Sequence, residues 1–253
     1  MIGSEMDVHA ATPGIAVIRR DEPRFESPWH AHEAAQLIFA VAGVVAVTTD
    51  RGTWVVPPSR AVWVPAGIVH RTASRGLVQF RALLVEAGPA RGLPAGCAVV
   101  AVTPLLRELI LRMAEAGCPA DVAALAARLA LKELAVLPVE PLSLPMPAHA
   151  GLAALCARLV SAPAEEVALE VAAAETGLSR SGFIRLFRRE TGQSFGRWRQ
   201  QARLLHALSL LAQGQSVLTV ALDCGYESPS AFTAMFRRTL GRAPSEYFAA
   251  ARG

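Results

Sequence analysis

The residues best suited to chemistry lie near the N-terminus, in the segment SPWHAHEAAQLIFAVAG of residues 27–43. His30 and His32 stand two residues apart there, and Gln36 follows four residues later, just before an apolar run. The three positions share parity, so on one regular strand their side chains would point to the same face. Imidazole and amide groups that converge in this way suit either a metal ion or a polar pocket. This segment alone leaves both interpretations open.

Short strands separated by turns surround these residues, across residues 15–87. Apolar segments such as QLIFAVAG, VVAVTTD and GTWVVPP are separated by turn residues that recur every 8 to 9 positions. No helical segment lies between them, which argues against parallel β/α winding. The pattern predicts an antiparallel sandwich or barrel.

Two helices are predicted after this β region. Thr103 followed by Pro104 is typical of a helix start, and apolar residues then recur every three or four positions as far as Met113. A second helix is predicted from Asp121 to Leu137. Its apolar face is predicted to contain Val122, Leu125, Leu129 and Leu134. Such a pair could be ordinary core or a dimer interface, and the sequence leaves both open.

These boundaries divide the chain into four regions. Residues 1–96 are expected to form the β domain, and residues 97–137 a helical connector with a possible role in dimerisation. Residues 138–148 are rich in proline and predict an interdomain linker, and residues 149–253 are helical. The predicted fold class is therefore α+β, with an antiparallel barrel, a helical connector and an all-α C-terminal domain.

The surplus of positive charge is confined to the C-terminal region. Residues 149–253 contain 12 Arg and no Lys against 8 acidic residues, a surplus of 4, whereas residues 1–148 contain 13 basic and 13 acidic residues. A positive field in one domain favours a polyanion as partner. Arginine in particular suits bidentate contacts to phosphate and guanine.

Several sequence features bear on the cellular environment. The four cysteines are scattered and form no C-x-x-C pair, which is typical of reduced thiols. The longest apolar run is too short to span a bilayer, and the N-terminus lacks the pattern of a secretory signal. We expect a cytoplasmic protein without a membrane partner.

Two segments of the C-terminal region repeat one design about 49 residues apart: LEVAAAETGLSRSGFIRLFRRETG at residues 169–192 and LTVALDCGYESPSAFTAMFRRTLG at residues 218–241. Aligning Ser179 with Ser228 superposes two aromatic residues, an Arg-Arg pair and a final glycine, while the turn regions are offset by one residue. Each copy predicts a helix, a tight turn and a second helix capped by the serine.

The second helix of each copy has an outward face that suits DNA. Apolar residues at spacings of three and four define its buried side, so arginines and short polar residues face outward. A helix of this kind can enter the major groove, about 12 Å wide, where Arg contacts guanine or phosphate. One copy alone could be a solvated face, but two capped copies favour DNA. The predicted DNA-binding residues are Arg180, Ser181, Arg185 and Arg188 in the first copy and Ser230, Thr233 and Arg237 in the second.

One helix between Ser194 and Gly214 is predicted to join the two copies. Its apolar residues would pack on both, while Arg197, Arg199 and Arg203 would remain outside, near phosphates. A rigid spacer would let two recognition helices of one chain meet successive turns of one DNA face, about 34 Å apart.

The second copy, with GYESPSAFTAMFRRTLGRAPSEYF at residues 225–248, closely resembles the signature end of AraC/XylS-type transcription regulators. The first copy, together with FGRWRQQARLLHAL, resembles the rest of their DNA-binding domain. The resemblance implies a seven-helix domain with two helix-turn-helix motifs, σ-factor-dependent control of transcription with RNA polymerase as a partner, and base contacts at Ser181, Arg185, Ser230 and Thr233. Many members carry Arg where this chain has Ala234, which implies that base recognition by the second copy is weaker or relies on DNA shape.

The histidine segment resembles the cupin pattern. An H-x-H pair is followed by Gln36, where Glu is usual, and later by a P-x-G-x-x-H motif that ends at His70. The sensor domains of AraC-type regulators resemble cupins, so the two resemblances agree. They imply one site formed by His30, His32, Gln36 and His70, which suits Zn, Ni, Fe or Cu. With Gln in place of Glu, a bound dication would keep close to its full charge and could hold an anionic effector. The alternative is a polar pocket without metal.

Three aromatic residues of the same domain, Phe39, Trp54 and Trp63, could wall a cavity for a small-molecule effector. Ordinary core packing is the alternative for each of them.

The favoured function is a one-component regulator that is not an enzyme. Its barrel would bind a small molecule or metal and bias how a homodimer presents its helix-turn-helix motifs to double-stranded DNA. A metal-dependent cupin enzyme with a DNA-binding appendage is the alternative; it is less favoured because Gln36 cannot transfer a proton and no general acid or base accompanies the histidines. A purely architectural DNA-binding protein would need no ligand.

Overall fold

The computed structural model describes residues 7–57, 60–74, 77–137, 139–140 and 143–249. Contacts divide the chain into two units, Met1–Thr49 with Trp54–Pro141 and Asp50–Thr53 with Leu142–Gly253. Pro138, Pro141 and Leu142 of the predicted linker lie outside the described residues.

The N-terminal region is built from strands followed by two helices. In chain order these elements are β1 (Asp7–Thr12), β2 (Ile15–Glu22), β3 (Ala35–Ala42), β4 (Val45–Thr49), β5 (Gly52–Val56), β6 (Arg60–Val64), β7 (His70–Ser74), β8 (Val78–Val85), β9 (Ala98–Ala101), α1 (Pro104–Met113), α2 (Ala120–Val136) and β10 (Val139–Glu140).

The strands form two sheets. The larger has the order β1-β2-β8-β3-β6-β9-β10, and β4 pairs with β7 in the smaller sheet, which also contains β5. The pairing is antiparallel in each ladder described, for example Ile38 opposite Ala82 of β8 and Val62 of β6. The predicted antiparallel β architecture is confirmed, and no helix separates the strands between β1 and β9 in the described residues.

Strand β3 is buried on both faces, which explains its unbroken apolar sequence. Leu37 and Phe39 belong to a core cluster that also contains residues of α1 and α2. Because side chains alternate along a strand, Gln36 and Ile38 point to the opposite side of the sheet. Gln36 therefore faces away from the helices.

The two helices belong to the same core as the larger sheet. Thr103 caps α1 by accepting a hydrogen bond from the Leu106 amide at 3.1 Å, and Pro104 occupies the first turn, as predicted. Residues 97–137, expected to be a connector, thus extend the first unit. The predicted apolar face of α2 was wrong in composition. Leu134 is buried, whereas Leu125 and Leu129 are 66% and 44% exposed. The step of five residues from Leu129 to Leu134 rotates the side chain by about 140° around the helix axis, so these two leucines lie on different faces.

The second unit contains β11 (Ser143–Pro145) and, within residues 143–249, seven helices. They are α3 (Ala150–Ser161), α4 (Leu169–Glu175), α5 (Arg180–Thr191), α6 (Phe195–Ala212), α7 (Val217–Asp223), α8 (Pro229–Leu240) and α9 (Pro244–Ala249). The number of helices agrees with the predicted DNA-binding domain. Short strands β10 and β11 occur in the Pro-rich segment that was predicted to be the interdomain linker.

Aromatic side chains hold the helices of the second unit together. Phe187 of α5 packs edge-on against Phe195 and Trp198 of α6, with ring centroids 5.3 and 6.0 Å apart. The Trp198 indole N–H donates to the Pro145 carbonyl at 2.7 Å, so this buried polar group is satisfied. Phe236 and Tyr247 make a similar edge contact at 5.5 Å.

Candidate functional site

The first helix-turn-helix consists of α4, a short turn and α5. Gly177 has a positive φ of 70°, and the Leu178 amide donates to the Ala173 carbonyl at 2.9 Å. This six-to-one bond defines a Schellman motif, in which glycine is favoured because it adopts the left-handed conformation without strain. Ser179 then caps α5 by accepting from the Gly182 amide at 3.1 Å.

The second helix-turn-helix, α7 and α8, repeats this geometry. Gly225 has a φ of 73°, and the Tyr226 amide donates to the Ala221 carbonyl at 2.9 Å. Ser228 caps α8 by accepting from the Ala231 amide at 3.2 Å. One extra residue, Glu227, separates this turn from the cap, which accounts for the one-residue offset between the copies.

Both second helices bury their aromatic side and expose the opposite side. Phe183 and Phe187 of α5 are fully buried, as are Phe232 and Phe236 of α8. Six of the seven predicted DNA-binding residues are exposed, and Thr233 is half-buried. The exposed residues are Arg180, Ser181, Arg185, Arg188, Ser230 and Arg237. Their accessibility meets the first requirement for a DNA interface.

The exposed arginines of α5 differ in their ionic partners. Arg180 Nε donates to Glu170 Oε1 of α4 at 3.0 Å, a pair whose side chains are both more than 60% exposed. A backbone hydrogen bond at Glu170 itself and, next, the Arg180 guanidinium lower the pKa of the Glu170 carboxyl. Among the described residues, Arg185 and Arg188 form no ion pair with an acidic group. These two cations are available to phosphate or base edges.

Two arginines of α6 differ from expectation. Arg199 donates to the carbonyl groups of Val167 and Glu165, at 3.1 and 2.5 Å, and Arg203 donates to the Pro163 carbonyl at 2.9 Å. They therefore tie α6 to the loop between α3 and α4, and the expectation that both stay outside near phosphates is wrong. Neutral carbonyl partners of this kind leave no signal in the sequence. Arg197 is exposed, as predicted.

The predicted histidine cluster is brought together in the first unit. His30 and His70 exchange two backbone hydrogen bonds of 2.9 Å. One ring nitrogen from each of His30, His32 and His70 lies within 4.8 Å of the other two, which makes the trio a candidate metal centre among the described residues. The strand expected to carry His30 and His32 begins only at Ala35. Cross-strand pairing and a bent segment therefore gather these side chains, rather than the parity of one strand.

Backbone carbonyls fix the protonation pattern of the three rings. Nδ1 of His30 lies 2.9 Å from the Pro28 carbonyl, Nδ1 of His32 lies 2.5 Å from the Ala34 carbonyl, and Nδ1 of His70 lies 2.9 Å from the Ile68 carbonyl. A carbonyl oxygen only accepts, so each Nδ1 carries the proton. Every Nε2 of the neutral rings therefore presents a lone pair. Metal-binding histidines are commonly oriented in this way.

Gln36 lies against two of these lone pairs. Its Oε1 is 3.3 Å from Nε2 of His32 and 3.3 Å from Nε2 of His70. An amide oxygen beside two acceptors is unfavourable unless a cation lies among them or the amide turns its NH2 group toward the rings. The chemistry of the donor set thus fits a divalent metal, and also fits a metal-free hydrogen-bonded arrangement with the amide reversed.

The environment of His70 favours its neutral form. Burial is the largest cause that lowers the pKa of His70 below its ordinary value; the hydrogen bond with the Ile68 carbonyl opposes this shift, and the neighbouring imidazoles of His30 and His32 add to it. A neutral imidazole is the form that donates a lone pair to a metal.

The three aromatic residues predicted to wall an effector cavity do not share one surface. Phe39 and Trp63 belong to the core between the larger sheet and the helices, and the Trp63 indole donates to the Pro94 carbonyl at 2.8 Å. Trp54 is buried on β5 of the other sheet. The core interpretation therefore fits Phe39 and Trp63 better than the cavity interpretation.

A cavity that the sequence did not suggest lies on the first unit. Its volume is about 620 Å³, within the range of small-molecule sites. The β1–β2 turn, Glu86 and the first turns of α2 at Ala120 and Ala124 line it. Most of its wall is alanine and glycine, residues that provide space without a recognisable motif.

No helix in the described part of the chain is long and apolar enough to cross a membrane.

Two family profiles, one for each unit, agree with this architecture. The sequence profile described as "AraC-like ligand binding domain" matches residues 12–131, and that described as "Helix-turn-helix domain" matches residues 172–250. The DNA-binding domain of AdpA, solved in complex with a target DNA, is 39% identical, covers 40% of this chain and 93% of its own, and has a TM-score of 0.38. ToxT from Vibrio cholerae strain SCE256, solved with a bound unsaturated fatty acid, is 12% identical with a TM-score of 0.39 and covers 94% of this chain and 96% of its own.

Similarity to one curated relative extends over nearly the whole chain. The HTH-type transcriptional regulator NimR of Escherichia coli (strain K12) is 34% identical over 250 residues, which cover 98% of this chain and 91% of the relative. Together with the ligand-binding and helix-turn-helix profiles, this shows that the chain belongs to the AraC-type family of DNA-binding transcriptional regulators with a ligand-binding N-terminal domain.

Proposed function

We propose that one chain contacts two successive major grooves of a duplex, with α5 in one and α8 in the other. The observation that carries this proposal is the repeated exposed face on two N-capped helices joined by α6. The contacts assigned to α5 are Arg180, Ser181, Arg185 and Arg188, and those assigned to α8 are Ser230, Thr233 and Arg237.

The two helices contribute differently to recognition. α5 offers several cations that suit guanine edges and phosphates, whereas α8 offers hydroxyl groups and Arg237. Ala234, which lacks hydrogen-bonding groups, contacts at most a thymine methyl group. We therefore assign most direct base recognition to α5 and a larger share of shape-dependent recognition to α8.

Electrophoretic mobility shifts on the DNA upstream of the gene test this proposal. If Z phosphates are neutralised, the logarithm of the affinity falls with the logarithm of salt with a slope of about −0.9Z, so severalfold more salt should weaken binding strongly. Binding that is insensitive to salt would contradict the electrostatic basis of the interface.

We propose that His30, His32 and His70, with Gln36 as a fourth donor, hold a divalent transition metal in the barrel. The convergent Nε2 lone pairs support this assignment, and imidazole donors suit Zn, Ni, Fe or Cu. All four donors are neutral, so a bound ion would act as a Lewis acid that attracts an anionic effector. His70 is buried, so solvent is excluded from that side of the site. The contacts between each Nδ1 and a backbone carbonyl fix the orientations of the three rings.

Metal analysis of the purified protein tests this site. We expect about one equivalent of metal in the wild type and loss of that equivalent in His32→Ala, which changes a partly exposed residue and spares the buried His70. Gln79→Glu on the exposed face of β8 serves as a surface control. Equal metal content in the wild type and His32→Ala would overturn the assignment.

We further propose that the barrel regulates DNA binding rather than catalysing a reaction. Gln36 supplies no titratable group beside the histidines, so general acid–base catalysis has no evident agent there. DNA affinity measured with and without the metal should then differ between the two states. Turnover of a substrate that is lost in His70→Ala, with DNA binding and its response intact, would favour the enzyme instead.

We also propose that the protein forms a homodimer and that it acts together with RNA polymerase. Leu125 and Leu129 form an exposed apolar pair on α2, which supports a helix-to-helix contact between two copies. The positive second unit and membership of a transcription-regulator family support an action at promoters, where polymerase is the natural partner.

A further inference from the structure

A pocket in the second unit brings two arginines together outside the exposed faces of α5 and α8. Arg199 and Arg203 line it from positions one turn apart on α6, and its volume is about 270 Å³. The other lining residues are Gly196, Gln200 and Tyr226. This space, here called the α6 pocket, is just below the roughly 300 Å³ at which sites for drug-sized molecules begin. The α6 pocket therefore suits a small ion or metabolite.

Both guanidinium groups of the α6 pocket are held by neutral partners. Arg199 donates to the carbonyls of Val167 and Glu165. Arg203 donates to the carbonyl of Pro163. A carbonyl orients a guanidinium without cancelling its charge, and each guanidinium has more N–H donors than these bonds use. Two oriented cations with spare donors thus line one small pocket.

The positive charge of the α6 pocket is weakly compensated. Among the described residues, neither of its arginines forms an ion pair with a carboxylate, and the Glu165 carboxylate binds Arg158 instead. Burial is the largest cause that lowers the pKa of Arg199, and the Arg203 guanidinium lowers it further, while Glu166 and Glu165 oppose the shift. Because burial and a like charge both disfavour the cation, a bound anion would stabilise it.

Two neutral side chains add donors to the same pocket. Gln200 is partly buried, and its side-chain amide forms no hydrogen bond among the described residues. Burial is the largest cause that raises the pKa of Tyr226, and the Arg203 guanidinium opposes it, so the phenol keeps a proton that it can donate. Side chains of four residues can therefore donate to one oxyanion.

The α6 pocket also touches the turn of the second helix-turn-helix. A Cβ on Gly225 would lie 3.2 Å from Nη2 of Arg203, so this guanidinium lies directly against the backbone of the turn. The Arg203 Cζ is 6.0 Å from the centroid of the Tyr226 ring, in the same turn. An anion in the pocket would contact α6 and this turn together, and so stabilise the position from which α8 begins.

A phosphate group matches this set of donors. It carries a charge of about −1.5 to −2 at neutral pH, close to the charge of two guanidinium groups, and offers several acceptor oxygens. Guanidinium groups bind phosphate oxygens in a bidentate manner. Arg199 and Arg203 are turned toward the loop between α3 and α4 rather than toward the outward faces of α5 and α8. This orientation favours a free ion over a phosphate of the DNA backbone.

We propose that the α6 pocket binds a free phosphate-type oxyanion, either inorganic phosphate or a small phosphate ester, which stabilises the DNA-binding unit. The site is distinct from the histidine cluster and needs no metal. A phosphate of the DNA backbone, which has the same chemistry, is the competing occupant.

Gln200→Glu is the test variant. It places a carboxylate in the pocket and leaves both arginines and their carbonyl contacts unchanged, and Glu and Gln are similarly good helix formers. The new carboxylate would compete with the anion for the guanidinium groups. Gln215→Glu adds the same charge at an exposed position between α6 and α7, so it is the matched control.

Isothermal titration calorimetry of the full chain with inorganic phosphate measures the binding. The protein is first treated with a chelator, since a metal elsewhere would also attract phosphate, and the ionic strength is kept constant with chloride. We expect about one equivalent of phosphate to bind with a Kd of about 1 mM or tighter. Gln200→Glu should weaken this binding about tenfold or more, and Gln215→Glu should behave as the wild type.

Thermal unfolding provides a second readout. Phosphate should raise the unfolding temperature of the wild type and of Gln215→Glu, because a ligand that binds the folded state stabilises it. Gln200→Glu should respond little to phosphate. Without phosphate it should unfold at a temperature no lower than that of the wild type, since its carboxylate takes the place of the anion.

Three results would overturn the proposal: no phosphate binding by the wild type, equal binding by the wild type and Gln200→Glu, or equal weakening in both variants, which would show a general effect of charge. Titrations with DNA across a range of salt test the competing occupant. A salt slope smaller by about one in Gln200→Glu than in Gln215→Glu would assign the pocket to a DNA phosphate and overturn the proposal. Equal slopes would support the free ion.

Discussion

At the residue scale, the arginines of α5 differ in whether they form an ion pair. Arg180 is held by Glu170, whereas Arg185 has no acidic partner among the described residues. A free guanidinium can be recruited by DNA without breaking an ion pair. Arg185 is therefore the side chain from which we expect the largest contribution to base recognition.

Arg185→Ala should weaken specific DNA binding by about 1–3 kcal/mol and relax the preference for one base pair, as expected for the loss of a bidentate contact. Arg189→Ala is the control, because Arg189 is also exposed but lies 3.7 Å from Glu190. Anisotropy titrations on the operator and on single-base variants measure both effects. Equal losses in the two variants would contradict a specific role for Arg185.

Gln36 controls the charge of the histidine cluster. Gln36→Glu removes the NH2 donor that could satisfy His32 and His70 without metal, and adds a negative charge beside a bound dication. We expect metal affinity to rise at least tenfold, an effect of about 1.4 kcal/mol, in competition titrations with a chelator. Gln79→Glu should leave it unchanged. An affinity equal to that of the wild type would show that Gln36 is not a donor.

At the element scale, the turn glycines differ in what surrounds them. A Cβ on Gly225 would lie 3.0 Å from the Ala164 Cα, whereas a Cβ on Gly177 would meet nothing within 4 Å. The backbones of both residues are left-handed, a conformation that costs about 1–2 kcal/mol for other residues.

Gly225→Ala should therefore destabilise the protein more than Gly177→Ala. Both substitutions introduce the left-handed strain, but only the first also presses on the loop before α4. Thermal unfolding of the two variants beside the wild type measures the difference. The reverse order would indicate that the close approach at Gly225 relaxes without cost.

Helix α2 carries the predicted dimer contact. Leu125→Glu with Leu129→Glu should convert dimers to monomers in sedimentation equilibrium, because two like charges would face each other across the interface. Leu77→Glu, also at an exposed leucine, controls for a general effect of added charge. Dimers that persist in the double variant would remove α2 from the interface.

The sequence predicted elements whose signals are local. Thr103 with Pro104, and the serine caps of α5 and α8, gave correct helix starts because capping depends on a few adjacent residues. Leu125 and Leu129 were predicted to share one face of α2 with the buried Leu134 but are exposed, since alanines rather than leucines form much of the buried stripe. The partners of Arg199 and Arg203 were missed because they are carbonyls of a loop more than 30 residues away.

At the scale of the whole molecule, two units with different chemistry serve one regulator. The first has balanced charge, a histidine cluster and a cavity, and the second has the positive surplus and two exposed recognition helices. The cupin resemblance grouped His70 with His30 and His32 correctly, although spacing alone could not, because an isolated bridge between His30 and His70 brings distant segments together.

Hydroxyl-radical footprinting of the full chain on its upstream DNA, with the number of bound chains counted in parallel, tests the central claim most directly. Each bound chain should protect two windows on one face of the duplex, about 10–10.5 base pairs apart. Thr233→Ala combined with Arg237→Ala should weaken one window more than the other. A single protected window for each bound chain would contradict the account.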